Sequence, residues 1–230
     1  MDYDDLGICR LILASGSPRR RQLLSMLGIP FIIKAVEVDE RQFGGESPPE
    51  LVLRLSQAKA LAVTDNRPDE LVVAADTVVA LGDTVLGKPV GVDHAFEMLR
   101  DLRNRAHVVY SGVSVWHPVT RRMVREISMS TVWMRDYTDD EMARYIESGD
   151  PFDKAGAYAI QHPEFRPVDR VEGCWLGVVG LPLCHLGRAL ADFGVAIPVG
   201  VAATCHAFSQ RECDVSSQIL RDRQENDALP

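Results

Sequence analysis

Three short apolar runs in the first third of the chain predict β-strands. They are residues 8–14 (ICRLILA), 31–40 (FIIKAVEVDE) and 70–76 (ELVVAAD), and glycine, proline or polar residues flank each of them. The third run is apolar at consecutive positions and ends in an acid, which is typical of a central strand covered on both faces. The second run ends in Asp39 and Glu40, so we expect acidic side chains at the ends of two strands.

Helix-start signals and helical spacing fill the intervals between these runs. Ser17 suits a helix cap and Pro18 the first helical position, and the apolar pattern behind them ends at Gly28. The sequence SPPE, residues 47–50, has the form of a capping box at the start of a second helix. Further helices are predicted at 93–102, 138–146 and 183–193.

The middle of the chain favours antiparallel pairing. The segment TVVALGDTVLGKP has the pattern of a hairpin that turns at Gly82-Asp83, residues 107–116 pair with 123–134, and AYAIQ at 157–161 predicts a short strand. Strands that alternate with helices, followed by an antiparallel pair, predict the α/β class: a mixed twisted sheet with flanking helices, in two lobes around a cleft.

The composition changes near the end of the chain. The 230 residues are 46% hydrophobic, which is enough for a sizeable core. After Pro198 the sequence is polar and mixed, and it lacks a convincing apolar stripe. We expect residues 1–197 to form a single domain and residues 198–230 a C-terminal tail that is poorly ordered apart from one short helix.

The charge balance excludes several classes of partner. The chain has 25 Lys and Arg against 33 Asp and Glu, a formal charge of -8 that disfavours non-specific binding to nucleic acid or anionic lipid. No apolar run approaches the ~20 residues of a membrane-spanning helix. The start MDYDDLG lacks the features of a signal peptide, and the five cysteines form no C-x-x-C pair. We therefore expect a cytoplasmic protein with reduced thiols and without nucleic-acid or membrane partners.

The stretch ASGSPRR follows the first predicted strand and has the features of a phosphate site. A tight turn that leads into a helix N-terminus offers free N–H groups and the positive end of the helix dipole. Ser15 and Ser17 supply hydroxyls, and Arg19 and Arg20 supply planar guanidinium donors. The alternative is that the arginines only cover a solvated helix face. The stretch is not a Walker A loop.

Other charged residues would complement this phosphate site if they share its cleft. Asp76, together with Asp39 and Glu40, offers the hard oxygens that Mg²⁺ prefers, although a single acid at a strand end is more commonly a turn or helix cap. Lysines occur in tight contexts in QAKA, LGKP and DKAGAY. Each alone fits a surface lysine, but together with the arginines they match a triphosphate. The residues are Lys59, Lys88 and Lys154, with Asp153 beside the last.

The chain resembles the Maf family of nucleoside triphosphate pyrophosphatases in eight motifs between residues 8 and 195. The motifs are LILASGSPRRRQLL, EVDE, RLSQAKA, AADTVV, LGKP, HVVYSGVSV, DKAGAYAIQ and VVGLPL. The resemblance implies an elongated α/β fold with a deep cleft, related to the inosine triphosphatases, and a homodimer. It also implies cleavage of a nucleoside triphosphate between the α and β phosphates, with a divalent metal, Mg²⁺ or Mn²⁺.

The same resemblance implies roles for individual residues. Asp76 matches the proposed proton acceptor, and Glu40 and Asp76 are expected to hold the metal. Substrate choice follows Arg19, Thr77 and Gln161, whose identities match the branch that acts on dTTP and UTP, and the Gln161 amide can donate and accept toward a pyrimidine edge. By the same match Ser15, Arg19, Arg20, Lys59 and Lys88 fall on active-site positions of the family, and we expect them to bind phosphate together with Ser17.

Two departures leave alternatives open. His162-Pro163 replaces a glycine that commonly follows AIQ, and Gly173 to Gly177 differ from the family pattern near the expected base-binding end. A pyrophosphatase for another base, such as 7-methyl-GTP or ITP, is one alternative. A nucleotide-binding regulator of cell division without turnover is another; it would need the phosphate site but not Asp76.

Overall fold

The computed structural model describes residues 10–64, 70–213 and 215–220. Its centre is a mixed sheet in the strand order β2-β1-β3-β5-β6-β7, with β4 paired to β3 beyond the end of β1. β1 runs parallel to β2 and β3, and the remaining pairs are antiparallel. The strands are β1 Arg10–Leu13, β2 Phe31–Ile33, β3 Glu70–Leu81, β4 Thr84–Leu86, β5 Ala106–His117, β6 Arg122–Met134 and β7 Val168–Glu172.

Helices cover both faces of the sheet, which confirms the α/β class. They are α1 Pro18–Ser25, α2 Pro48–Leu61, α3 Val92–Leu102, α4 Asp139–Glu147, α5 Trp175–Val179, α6 Leu183–Ala191 and α7 Val201–Ser209, with 3-10 turns at Asp150–Asp153 and Ala155–Ala157. The helix starts follow the sequence signals: Ser17 caps α1, and capping boxes open α2 and α4. In the described part of the chain, no helix is both long and apolar enough to cross a membrane.

Alternate residues of β3 divide the core between the two faces. Val72, Ala74 and Val78 pack toward α2, whereas Leu71 and Val73 pack toward α1, α5, α6 and α7. A second core on this latter face is built around α3 and α4, at the other end of the long strands. The sheet therefore carries two separate apolar clusters on one face, and the cleft described below lies between them.

Asp76 lies inside its strand, not at its end as the sequence predicted. β3 continues to Leu81 because residues beyond Asp76 pair with β5 and then also with β4. On its other edge, however, β3 pairs with β1 only up to Val73 and with β4 only from Val79. Among the described strands none pairs with that edge between these two points, and Asp76 lies in this open interval.

Two further strand predictions are wrong. The run 31–40 forms a strand only as far as Ile33, because β1, its one described neighbour, ends opposite that residue at Leu13. Glu40 therefore comes from an irregular segment. AYAIQ forms no strand, since Gly156 and Ala157 adopt left-handed backbone angles in a 3-10 turn. β7 and α5 were not predicted.

The described part of the C-terminal segment includes the packed helix α7. Val201 and Cys205 are buried in the core beside α6, where the sequence predicted a tail with one short helix. These two apolar side chains attach α7, the one short helix expected in this segment, to the core. The boundary at residue 197 stays a prediction, and residues 221–230 lie outside the described residues.

Candidate active site

A cleft of about 460 Å³ opens at the unpaired interval of β3. Residues of every charged motif reach its walls. They come from the start of α1, the side of α2, the middle of β3, the loop after β4, the irregular segment at Glu40 and the 3-10 turns near Asp153. Eleven of the thirteen predicted site residues line it: Ser17, Arg19, Arg20, Glu40, Lys59, Asp76, Thr77, Lys88, Asp153, Lys154 and Gln161.

The two remaining predicted residues lie outside the cleft walls for different reasons. Ser15 is buried beneath the α1 turn, where its Oγ accepts bonds from Ser17 N at 3.2 Å and Arg20 Nη1 at 3.4 Å. Asp39 instead pairs with Arg41, with Oδ2 2.6 Å from Nη2, and these hydrogen bonds lower the pKa of Asp39 to about 2. Ser15 therefore supports the cleft from behind, and Asp39 is engaged elsewhere.

Lys59 bridges the two acids of the cleft. Its Nζ donates to Asp76 Oδ1 and to Glu40 Oε1, both at 2.6 Å. Lys59 and Asp76 are only 8% and 7% exposed, whereas the Glu40 side chain is half-exposed. Removing either partner of a buried pair leaves an uncompensated charge, so the α2 lysine and the β3 aspartate are held as a unit.

Gly112 sets the distance between α2 and the sheet at this pair. It lies opposite Asp76 in the β3–β5 register, and a Cβ built on it would come within 2.5 Å of the Val52 carbonyl oxygen. Only glycine therefore allows the backbone of α2 to approach so closely. Sequence analysis missed this residue, because the sequence YSGVS does not reveal which helix lies above the strand.

Arg20 is held by neutral oxygens on three sides. Its Nε donates to the Gly180 carbonyl at 2.9 Å, Nη1 to Ser15, and Nη2 to Thr77 Oγ1 at 3.3 Å. Burial lowers the pKa of Arg20 below its ordinary value, and the nearby Asp76 carboxylate opposes that effect. Among the described residues no carboxylate forms an ion pair with Arg20, so its charge is available to an anion in the cleft.

A hydrogen-bonded chain continues behind Thr77. The Thr77 and Ser111 hydroxyl oxygens are 2.7 Å apart, and Ser111 Oγ lies 2.7 Å from the Gly177 carbonyl oxygen. Thr77 thus contacts Arg20 on one side and Ser111 on the other. Ser111 is buried and does not line the cleft, so it acts on the cleft only through Thr77.

The cleft carries more positive than negative side chains although the whole chain is acidic. The lining holds five cations, namely Arg19, Arg20, Lys59, Lys88 and Lys154, against three acids, Glu40, Asp76 and Asp153. Burial acts to raise the pKa of Glu40, but the hydrogen bond and charge of Lys59, with Lys88 and Arg20, outweigh it and lower the pKa. The local charge therefore favours an anionic ligand of several charges.

The far end of the cleft is a loop held by Tyr145. The Tyr145 hydroxyl donates to Asp150 Oδ2 at 2.7 Å and accepts from Ala159 N at 2.9 Å. Ala159 and Gln161 line the cleft, and the His162 ring packs edge-on against Tyr145 at a centroid distance of 4.8 Å. Tyr145 thus anchors the segment that carries Gln161, a role that the sequence pattern did not indicate.

Two carboxylates, Glu40 and Asp76, could share a metal ion in the cleft. In the described ranges, no group of three or more acid, histidine or cysteine side chains has the arrangement of a metal site. Mg²⁺ commonly uses only one or two carboxylates, however, and takes its remaining ligands from substrate phosphates and water. The donor set therefore fits a cation that binds together with a phosphate ligand.

Comparisons with known proteins show similarity over most of the chain. The family model described as Maf-like protein matches residues 10–193. The dTTP/UTP pyrophosphatase of Desulforamulus reducens is 41% identical over 81% of this chain and 98% of that protein. That of Nitratidesulfovibrio vulgaris is 47% identical over 80% of this chain and 88% of its own length. The solved Staphylococcus aureus Ham1 protein matches with a TM-score of 0.39 and 15% identity, over 55% of this chain and 72% of that one.

Proposed function

The chain belongs to the Maf-like protein family, and on that premise we propose that its cleft hydrolyses nucleoside triphosphates to the monophosphate and pyrophosphate. The proposed substrates are dTTP and UTP, the nucleotides named for its relatives. One observation carries the proposal: a cleft rich in cations at a helix N-terminus also contains the buried carboxylate of Asp76, paired with Lys59.

The triphosphate is bound by the cations that line the cleft. Arg20 presents its guanidinium from a fixed position, and Arg19 and Lys88 add charge. The N-terminus of α1, capped by Ser17, directs its dipole at the same place. Positioning and charge neutralisation of this kind provide most of the catalysis in phosphoryl-transfer enzymes.

Asp76 accepts the proton of the attacking water. One of its oxygens is occupied by Lys59, and in the described part of the chain the other has no hydrogen-bond partner. Water attacks the α-phosphorus, its proton passes to Asp76, and the bond from that phosphorus to the bridging oxygen breaks. Pyrophosphate leaves, and the cationic side chains stabilise its charge. A divalent cation at Glu40 and Asp76 would polarise the phosphate oxygens.

The first experiment measures pyrophosphate release from dTTP, UTP, CTP, 7-methyl-GTP and ITP, with Mg²⁺, with Mn²⁺ and with EDTA. Metal-dependent hydrolysis of dTTP and UTP alone is expected. Hydrolysis of a triphosphate that carries a different base would agree with the proposed mechanism, but it would contradict the proposed role of Arg19, Thr77 and Gln161 in specificity. Binding without turnover under every metal would favour the second candidate function, a nucleotide-binding regulator.

A matched pair of variants tests the role of Asp76. Asp76→Asn should lower kcat by about a thousandfold or more while the protein remains folded, since it removes the proton acceptor. Asp39→Asn is the control, because Asp39 is paired with Arg41 outside the cleft. A folded and active Asp76→Asn protein would refute the assignment.

We further propose that the protein is a cytoplasmic homodimer without nucleic-acid or membrane partners. Light scattering would test the dimer, and cell fractionation would test the location.

A further inference from the structure

A second, smaller cavity is lined by all the cysteines that the structure describes. Its volume is about 90 Å³, and it lies between α5, α6, α7 and the segment after α7. Cys174 caps α5, Cys184 lies in the first turn of α6, Cys205 lies in α7, and Cys213 follows α7. In sequence these residues look scattered, but the fold brings all four free thiols together.

Two of the four thiols are neighbours within the same apolar core. Cys184 and Cys205 both line the cavity and both belong to the core cluster on the α6 and α7 side of the sheet, at 3% and 7% exposure, and each thiol is the largest influence on the other's pKa. They join different parts of the chain: Cys184 lies within the family match, which ends at residue 193, and Cys205 lies beyond it. The pair therefore spans the boundary between the domain and its C-terminal segment.

The other two cysteines have different surroundings. Cys174 Sγ accepts a hydrogen bond from Gly177 N at 3.3 Å, and burial raises the pKa of Cys174 to about 12, so this thiol acts as a helix cap. Cys213 is partly exposed at the rim of the cavity. By contrast, the neighbouring Cys205 thiol lowers the pKa of Cys184, and the Cys184 thiol, together with burial, raises the pKa of Cys205.

We propose that Cys184 and Cys205 are an oxidation site, at which a peroxide converts the two thiols into a disulfide that ties α7 to α6. The Cys184 thiolate attacks a peroxide oxygen, which gives a sulfenic acid and, from hydrogen peroxide, water after protonation. The Cys205 sulfur then attacks the Cys184 sulfur, the S–S bond forms, and the hydroxyl leaves as a second water. Two thiols thus lose two electrons, and one hydrogen peroxide molecule is reduced.

The bond would close a loop from α6, through the end of the family match, into the first half of α7. Because a cross-link restricts the unfolded chain, oxidation should raise Tm by on the order of 5 °C, and dithiothreitol should reverse the change. This proposal does not depend on the proposed nucleotide chemistry, since none of the four cysteines lines the active-site cleft.

The test treats the full chain with hydrogen peroxide, alkylates the remaining thiols and maps disulfides by mass spectrometry. Trypsin cleaves after Arg170, Arg188 and Arg211, so Cys184 and Cys205 fall in adjacent peptides and Cys213 in another. Fragmentation of the linked pair separates Cys184 from Cys174. The expected product joins residues 171–188 to 189–211 through Cys184, and it is lighter than the two peptides by two hydrogen atoms.

Variants make the assignment specific. Cys184→Ser and Cys205→Ser should each abolish the linked peptide and the reversible Tm shift, whereas Cys213→Ser, a nearby control, should retain both. Cys205→Ala serves if the serine variant fails to fold. Sulfenic or sulfinic acids without a cross-link would overturn the proposal, as would a link to Cys9 or Cys213, or an unchanged Tm of the cross-linked protein.

Discussion

Ser111 determines the direction in which Thr77 hydrogen bonds. The Ser111 hydroxyl donates its one proton to the Gly177 carbonyl, so at the 2.7 Å contact with Thr77 it can only accept. Thr77 therefore donates to Ser111, and its own oxygen accepts from Arg20 at 3.3 Å. The position of the Arg20 guanidinium thus depends on a serine on β5 that does not line the cleft.

Ser111→Ala should weaken substrate binding more than its effect on stability would suggest. Without Ser111 the Thr77 proton can turn toward Arg20, which loses an acceptor, so we expect KM for the preferred triphosphate to rise about tenfold. Ser114→Ala is the matched control, because Ser114 is also buried on β5 but bonds Ser56 at 2.9 Å on the α2 face. Steady-state kinetics and urea unfolding of both variants separate the effect on substrate binding from the effect on stability. Equal KM values for the two variants would contradict the role of Ser111 in orienting Thr77.

Gly112→Ala should damage the active site through α2. The added methyl group would meet the Val52 carbonyl oxygen at 2.5 Å, so the helix backbone must move and take Lys59 away from Asp76. We expect a loss of stability of about 1–3 kcal/mol and a fall of more than tenfold in kcat. Gly44→Ala is the control, since nothing lies within 4 Å of a Cβ there. A destabilised variant with normal kcat would show that Lys59 keeps its place.

Tyr145→Phe should reduce discrimination between bases. It removes the hydroxyl that holds Ala159 N at 2.9 Å, so the segment that carries Gln161 loses its anchor. The ratio of kcat/KM for dTTP over CTP is expected to fall several-fold, in line with about 1 kcal/mol for one hydrogen bond. Tyr137→Phe is the comparison: that hydroxyl donates to the Leu99 carbonyl at 2.7 Å in the core. If both variants discriminate equally well, Tyr145 acts on stability alone.

Acid should destabilise the protein through two buried histidines. Burial lowers the pKa of both His107 and His185 from 6.5 to about 4, so between these values the unfolded state binds more protons than the folded state. The stability that the two neutral histidines contribute is fully present above pH 6.5 and is lost as the pH falls toward 4. By pH 5 the loss in the free energy of unfolding is about 1–2 kcal/mol for each histidine. Urea unfolding at pH 7.5 and pH 5 should show a smaller pH effect in His107→Gln and His185→Gln.

The exposed His206 provides the control for this pH effect. His206→Gln should lose as much stability between pH 7.5 and pH 5 as the unmodified protein. If His107→Gln and His185→Gln lose as much stability between pH 7.5 and pH 5 as the unmodified protein, the acid sensitivity belongs to the carboxylates instead. Comparing differences between variants cancels the contribution that the many acids of the chain share.

Sequence reasoning succeeded where the deciding interaction is local. Ser17 and the capping boxes at residues 47 and 138 involve only neighbours in sequence, and each opens a helix in the structure. The strand lengths were predicted wrongly. The strand that begins at Phe31 ends where its neighbour β1 ends, and Asp76 lies between the part of β3 that pairs with β1 and the part that pairs with β4. Neither limit can be predicted from the residues of the strand itself, because each depends on a neighbouring strand.

The charged residues of the cleft could be predicted from their residue types and motifs, but the residues that hold them in position could not. Lysines and arginines in an acidic chain indicated an anion site, and eleven of the thirteen predicted residues line one cleft. Gly112 and Tyr145 were missed since their importance depends on a helix and a loop that pack across from them. The catalytic roles within the cleft stay predictions until the variants are measured.

The bond from Arg20 to the Gly180 carbonyl spans 160 positions of the chain. Synthesis proceeds from the N-terminus, so the phosphate motif leaves the ribosome long before the residue that fixes its arginine. A nascent chain that stops short of α5 already contains Lys59, Asp76 and two of the three oxygens that hold Arg20, but it lacks the carbonyl that accepts from Arg20 Nε. Contacts between such distant residues form late, and the enzyme therefore gains its complete cleft only when nearly the whole domain has been made.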